Sequence, residues 1–262
     1  MNNQQQPIGI FDSGVGGLTV LKKLNEILPK EEFIYFGDTA HVPYGNKSKK
    51  TIIKYCKEII NFLESKNVKL IIIACNTASS TALDVLHKTT KVPLIDVVTP
   101  CIKKAVKTTS HNQIGIIGTK TTIDSQKYQN EIKKINKNIK IYSQSCPLLV
   151  PIIEEALFEH QITKEVVDIY LSKIKDNIDT LILGCTHYPL IKNLFLKSMK
   201  DKINIVDSSI ETAKYVKKYL TKNKLLSSKS NIQTNQFYVS DDPKKFCLTA
   251  KFLLNETLNN II

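Results

Sequence analysis

The sequence predicts an α/β protein made of two similar open-sheet domains, pseudo-symmetric halves that face each other across a central cleft. Three observations carry this reading. Two apolar runs, Leu70-Ile71-Ile72-Ile73-Ala74 and Thr180-Leu181-Ile182-Leu183-Gly184, each end on a cysteine followed by polar side chains. Strand-like and helix-like segments alternate along the chain, the pattern of sheets covered by helices. The opening motif Ile8-Gly9-Ile10 returns as Ile114-Gly115-Ile116, 106 positions on, and Cys75 and Cys185 lie 110 positions apart. A nearly constant offset held over several segments marks an internal repeat.

In chain order, Ile8-Gly9-Ile10-Phe11-Asp12 reads as a buried strand leading into the glycine-rich stretch Ser13-Gly14-Val15-Gly16-Gly17. Leu18, Leu21, Leu24 and Leu28 then have the spacing of one helix face, which stops near Pro29. A second strand is predicted over 33–36, a loop with Pro43-Tyr44-Gly45 after it, and a helix over 52–63. The first cysteine strand follows, then a helix from about residue 80 to 86 and a strand over 93–98 closed by Pro100. The pattern restarts with 113–119, a strand at 139–142, a proline-bearing loop (Cys146-Pro147, Val150-Pro151), helices at 152–158 and 163–175, and the second cysteine strand. A helix after Leu190 and a strand over 203–207 complete the second half, and a lysine-rich helix over 210–220 follows. The tail adds a strand at 236–239 and a helix over 244–258, expected to pack back on the first half. The domains are therefore placed at 1–97 with 208–262, carrying Cys75, and at 98–207, carrying Cys185.

At 262 residues, 42% hydrophobic and 23% charged, the chain has the composition of a soluble globular protein. Its apolar runs are too short for a membrane span and its start has no apolar signal-like region, so a cytoplasmic location is expected. A net charge of +13 raises nucleic acid as a partner, but the lysines are scattered over helix-like segments and no aromatic recognition pattern accompanies them. Solvated lysine faces are the better reading, with no nucleic-acid partner expected. The six cysteines contain no Cys-x-x-Cys pair, which argues for free thiols and against a metal site.

A thiol at the end of each half suits a reaction that takes a proton from one face of a carbon and returns one to the other. Such acids and bases work best within hydrogen-bond reach and with matched pKa values. Cys75 and Cys185 both precede a predicted helix, whose N-terminus would lower a thiol pKa. Asp12, Asp38, Glu154 and His187 could move protons on and off the thiols. Asn76, Thr77 and Thr186 offer small neutral partners for an ammonium or carboxylate, and backbone N–H groups of the glycine-rich stretch could hold a carboxylate. That stretch is not a full G-x-G-x-x-G, so nucleotide binding is not expected. Cys56, Cys101 and Cys247 read as core fillers, and Cys146 as structural.

Five segments, taken together and in order over roughly residues 7–210, resemble the cofactor-independent aspartate/glutamate racemase family, and within it the members acting on glutamate. They are residues 8–20, residues 35–45 (Tyr-Phe-Gly-Asp-Thr-Ala-His-Val-Pro-Tyr-Gly), Ala74-Cys75-Asn76-Thr77-Ala78-Ser79, residues 146–154, and Leu183-Gly184-Cys185-Thr186-His187-Tyr188-Pro189-Leu190. The resemblance implies a two-domain α/β fold with Cys75 and Cys185 as an acid/base pair, the first serving D-glutamate and the second L-glutamate. It implies substrate contacts from Asp12, Ser13, Tyr44, Gly45, Asn76, Thr77, Thr186 and His187, with Thr119 and Thr122 added and Asp38 and Glu154 assisting. No cofactor and no metal are implied, a homodimer is, and the product would be D-glutamate for peptidoglycan. Many members carry Arg where this chain has His41. Aspartate is the alternative substrate, although relatives acting on it resemble Cys-Thr-Glu at the second cysteine, where Cys-Thr-His stands here. A cysteine hydrolase using Cys185 and His187, or a non-enzymatic amino-acid-binding protein, would leave one or both thiols without a role.

Overall fold

The computed structural model describes residues 3–200, 202–230, 234–254, 258 and 261–262. Among the described residues, nine strands form two sheets: β1 (Ile8–Asp12), β2 (Phe33–Gly37), β3 (Leu70–Ile73), β4 (Leu94–Asp96) and β9 (Gln236–Val239) in one, and β5 (Gln113–Gly118), β6 (Lys140–Ser145), β7 (Thr180–Gly184) and β8 (Asn204–Asp207) in the other. Every pairing is parallel, in the orders β4-β3-β1-β2-β9 and β6-β5-β7-β8. The helices are α1 (Leu18–Ile27), α2 (Lys49–Ser65), α3 (Asn76–Leu86), α4 (Val98–Thr108), α5 (Lys120–Asp124), α6 (Lys127–Ile135), α7 (Leu149–Glu154), α8 (Gln161–Leu171), α9 (Lys192–Ser198), α10 (Ser208–Lys222) and α11 (Pro243–Leu254). No helix among the described residues is long and apolar enough to cross a membrane.

The register exposes the repeat. Ile8 lies opposite Leu70 in the first sheet, and Ile114 opposite Thr180 in the second. Setting Ile8 on Ile114 and Leu70 on Thr180 therefore makes Cys75 and Cys185 equivalent, each five residues into its segment. Leu70, Ile71, Ile72 and Ile73 are all fully buried, as parallel strands covered on both faces must be. Burying each such side chain contributes about 1.5–3 kcal/mol.

One apolar cluster runs through both halves, joining Leu18 and Ile72 to Leu183 and Val216. Two further clusters fill the outer faces, one centred on α2 and α3 and one on α4 and α6. The chain passes between the halves at two equivalent points. Asp96 at the end of β4 accepts from the N–H groups of Val98 (2.7 Å) and Thr99 (2.8 Å), starting α4. Asp207 at the end of β8 accepts from Ser209 N–H at 2.8 Å, starting α10. Asp207 is the N-cap of α10, and Asp96, one residue before the N-cap Val97, serves the first N–H groups of α4 in the same way.

Pro100 was expected to close a strand. It stands instead in the first turn of α4, where its missing N–H has no carbonyl to meet. The strand is shorter than 93–98, α3 begins at Asn76 rather than near 80, and the predicted helices at 152–158 and 163–175 occur as α7 and α8. The short α5 and the lysine-rich α6, whose Tyr128 and Ile132 are buried, were not foreseen. The tail strand β9 pairs with β2, Gly37 opposite Val239. Residues 255–257 of the predicted last helix lie outside the described residues. A buried ion pair ties the chain ends to this sheet. Lys69 Nζ donates to Glu31 Oε2 (2.6 Å), Gln4 O (2.8 Å) and Leu225 O (2.9 Å), and Ser227 N–H donates to Glu31 Oε1 (2.7 Å).

Candidate active site

Ligands in open parallel sheets bind beyond the carboxyl ends of strands, where the order reverses. In the first sheet β1 has β2 on one side and β3 on the other; β5 stands in the same relation to β6 and β7. Ser13 follows β1 and Cys75 follows β3, while Thr119 follows β5 and Cys185 follows β7. All four line a single cavity of about 250 Å³.

Cys75 is the N-cap of α3, and its thiol donates to Ser13 Oγ at 3.6 Å. The helix N-terminus was expected to lower this pKa. Burial prevails instead, reinforced by the Asp12 carboxylate, and pushes Cys75 up to about 12 despite bonds from Ala78 N–H and Ser13. It is a thiol at neutral pH. Cys185 departs from expectation in another way, because a 3-10 turn (Tyr188–Ile191) separates it from α9. Its neighbour is a side chain rather than a helix end. His187 Nδ1 lies 3.7 Å from the Cys185 sulfur, and His187 Nε2 lies 3.0 Å from Glu154 Oε1. Burial opposes charge on this ring, but its bonds to Cys185 and Glu154 outweigh that and raise it to about 10. His187 is an imidazolium at neutral pH.

Ser13, Tyr44, Gly45, Asn76, Thr77, Thr119, Glu154, Thr186 and His187 also line the cavity. Asp12, Asp38 and Thr122 do not. Asp12 is fully buried behind the glycine-rich loop, where its carboxylate accepts from Gly14 N–H (2.9 Å) and Thr186 Oγ1 (3.5 Å). Burial raises its pKa, against the His187 charge and the Gly14 and Gly17 N–H groups. Asp38 takes the Tyr44 hydroxyl (2.5 Å) on one oxygen and His41 Nδ1 (2.8 Å) and Ser240 Oγ (2.8 Å) on the other, so it reaches the cavity through Tyr44. Thr122 is buried beside Thr119, and the two hydroxyls stand 3.2 Å and 3.0 Å from Thr77 Oγ1 on the opposite half.

Val42, Pro43, Asn46, Lys120, Pro147, Val150, Pro151 and Glu155 line the cavity without having been singled out. The signal available was adjacency, since Asn46, Lys120 and Glu155 directly follow candidate residues. Cys146 is buried beside the site, its N–H on Gly118 O at 2.8 Å, and does not line the cavity. Cys56 and Cys101 are buried, but Cys247 is half-exposed on α11 and is no core filler. No group of three or more His, Cys, Asp or Glu side chains among the described residues could hold a metal ion.

The glycine-rich loop is explained by close approach between halves. A Cβ on Gly16 would stand 2.4 Å from Thr186 Oγ1 and 2.5 Å from His187 Nδ1. Gly16→Ala must therefore displace the imidazole that meets Cys185. We expect it to lose at least about tenfold in activity and roughly 1–3 kcal/mol in stability, as overpacking does, read by steady-state kinetics and thermal melting.

A parallel α/β repeat with a strand-end thiol from each half on one cavity marks an isomerase of the amino-acid racemase class. Residues 8–216 match the Asp/Glu/hydantoin racemase family, and the chain belongs to that family. Among its relatives, the glutamate racemase of Geobacter metallireducens is 42% identical over 255 residues, covering 97% of this chain and 94% of the relative. The crystal structure of Francisella tularensis glutamate racemase in complex with D-glutamate superposes with a TM-score of 0.92 at 41% identity, over 99% of this chain and 97% of that one. A glutamate racemase isoform from Bacillus anthracis gives a TM-score of 0.95 at 32% identity, over 99% and 97% of the two chains.

Proposed function

We propose that this protein interconverts L- and D-glutamate by a two-base mechanism, one cysteine taking the α-proton while the other delivers a proton to the opposite face. The observation that carries this reading is the pair Cys75 and Cys185 on one cavity at equivalent positions of the repeat. The similarity to glutamate racemases over nearly the whole chain supports the substrate.

Cys75 carries its proton at neutral pH and acts as the donor. Cys185 then removes the α-proton of L-glutamate, with His187 and Glu154 as the relay behind it. Turnover of D-glutamate runs the roles in reverse. Developing charge on the substrate carboxylate and α-carbon needs preorganised donors, for which Ser13, Thr77, Thr119 and Thr186 are placed on the cavity wall. Asp12 holds the Ser13-Gly14 turn and Thr186 from behind, and Asp38 holds Tyr44. The moving bodies would be residues 1–97 with 208–262 and residues 98–207, closing to exclude water. The resemblance extends the reading to a cytoplasmic homodimer supplying D-glutamate for peptidoglycan.

The experiment is to incubate each glutamate enantiomer with the protein in D2O and follow optical rotation and α-deuterium. Racemisation with deuterium incorporation is expected from both sides. Turnover of aspartate in place of glutamate would move the substrate, and release of ammonia would point to hydrolysis.

A further inference from the structure

Asn76 is held at one end of its amide and unpaired at the other. Its Nδ2 donates to the Tyr128 hydroxyl at 2.8 Å, reaching from α3 across to α6 of the other half. Its Oδ1 is buried and has no hydrogen-bond partner among the described residues, while Asn76 lines the cavity. Tyr128 is itself fully buried. A phenol oxygen can accept as well as give its one proton. By accepting from Nδ2, the Tyr128 oxygen holds the NH2 end of the amide. The carbonyl end is then left as a buried acceptor, and such groups carry a cost until they are paired.

We propose that Tyr128 is a positioning residue that fixes the Asn76 amide with Oδ1 available to the α-ammonium of the substrate. Tyr128 touches no substrate; it acts through Asn76, and because it belongs to the second half it makes this contact only when the halves are together. The inference rests on the racemase reading above. It also gives the 128 hydroxyl, remote from both thiols in sequence, a part in binding rather than in proton transfer.

Tyr128→Phe keeps the ring in its core position and removes the hydroxyl. The expected result is a rise of about tenfold in KM for both enantiomers, a parallel rise in the D-glutamate Kd by calorimetry, and a kcat within twofold of the parent. In an Asn76→Ala background the same Tyr128→Phe change should alter neither KM nor Kd, since no amide remains to orient. A merely structural hydroxyl would lower the melting temperature and the active fraction while leaving KM and Kd in place, and that outcome overturns the proposal. An equal rise in both backgrounds overturns it too, because Tyr128 would then act by a route other than Asn76. Calorimetry needs no turnover, so the comparison survives if the Asn76 variants are slow. Wild-type protein that neither binds nor racemises glutamate would fail the racemase reading itself, a result visible before any variant is made.

Discussion

Replacing either Cys75 or Cys185 with alanine will cut racemisation by roughly 10²- to 10⁴-fold in both directions, the range over which a positioned acid or base acts. On the proposed mechanism the loss is bidirectional, because each thiol would serve as base for one enantiomer and as acid for the other. The two variants should nonetheless differ. Cys75 is held as a thiol by burial and by the Asp12 carboxylate, so Cys75→Ala removes the proton donor for L-glutamate turnover. Cys185→Ala removes the base for that same direction and strands the His187 imidazolium beside an empty position. Circular dichroism of glutamate solutions reads both directions in one assay. Cys247→Ser, at a half-exposed thiol on α11, is the control and should keep parental activity. Racemisation that persists in either alanine variant sinks the two-base mechanism.

His187→Asn will have the next largest effect, about 10²-fold, and it should fall more heavily on L-glutamate than on D-glutamate. The ring stands between Cys185 (3.7 Å) and Glu154 (3.0 Å), so on the proposed mechanism it would relay protons on the Cys185 face. It also leaves a signature in stability. Its pKa is raised from the ordinary 6.5 to about 10. The stabilisation gained from the imidazolium is therefore fully present below pH 6.5 and is lost as pH rises through about 10. Over that window the parent's melting temperature should fall with pH, and the slope should flatten in His187→Asn. A parent melting temperature independent of pH there would show that His187 is not held as an imidazolium.

The repeat was legible because buried parallel strands leave dense apolar runs, and the two cysteine strands sit at matching register in the two sheets. Their strand ends brought Cys75, Asn76, Thr77, Cys185, Thr186 and His187 to one cavity with little ambiguity. Surface helices were harder. Helix α6 buries Tyr128 and Ile132 but is otherwise mostly lysine and other polar residues, so its apolar stripe is thin. Pro100 misled because proline stops a strand and equally begins a helix; the deciding fact, the Asp96 cap, is a side-chain geometry. The thiol pKa of Cys75 was misjudged because sequence shows the helix that follows and not the depth of burial. The Gly16 contact with His187 joins residues far apart in the chain, and nothing local in the glycine-rich stretch discloses its partner.

The edge strand β9 and the Lys69–Glu31 pair have a consequence for the protein while it is being made. The second sheet is drawn from one continuous stretch, Gln113 to Asp207, and can close as soon as that stretch leaves the ribosome. The first sheet cannot. Until residues 225–239 emerge, β2 keeps an unpaired edge and the buried lysine and glutamate lack their Leu225 and Ser227 partners. Domains generally fold in the order in which they are synthesised, but here the half that begins the chain is the last to be completed. A nascent or truncated chain thus presents Phe33, Ile34, Tyr35 and Phe36 along an open strand edge, a template for pairing with another chain. Loss of the C-terminal segment should accordingly make this protein aggregate before it costs any residue of the cavity.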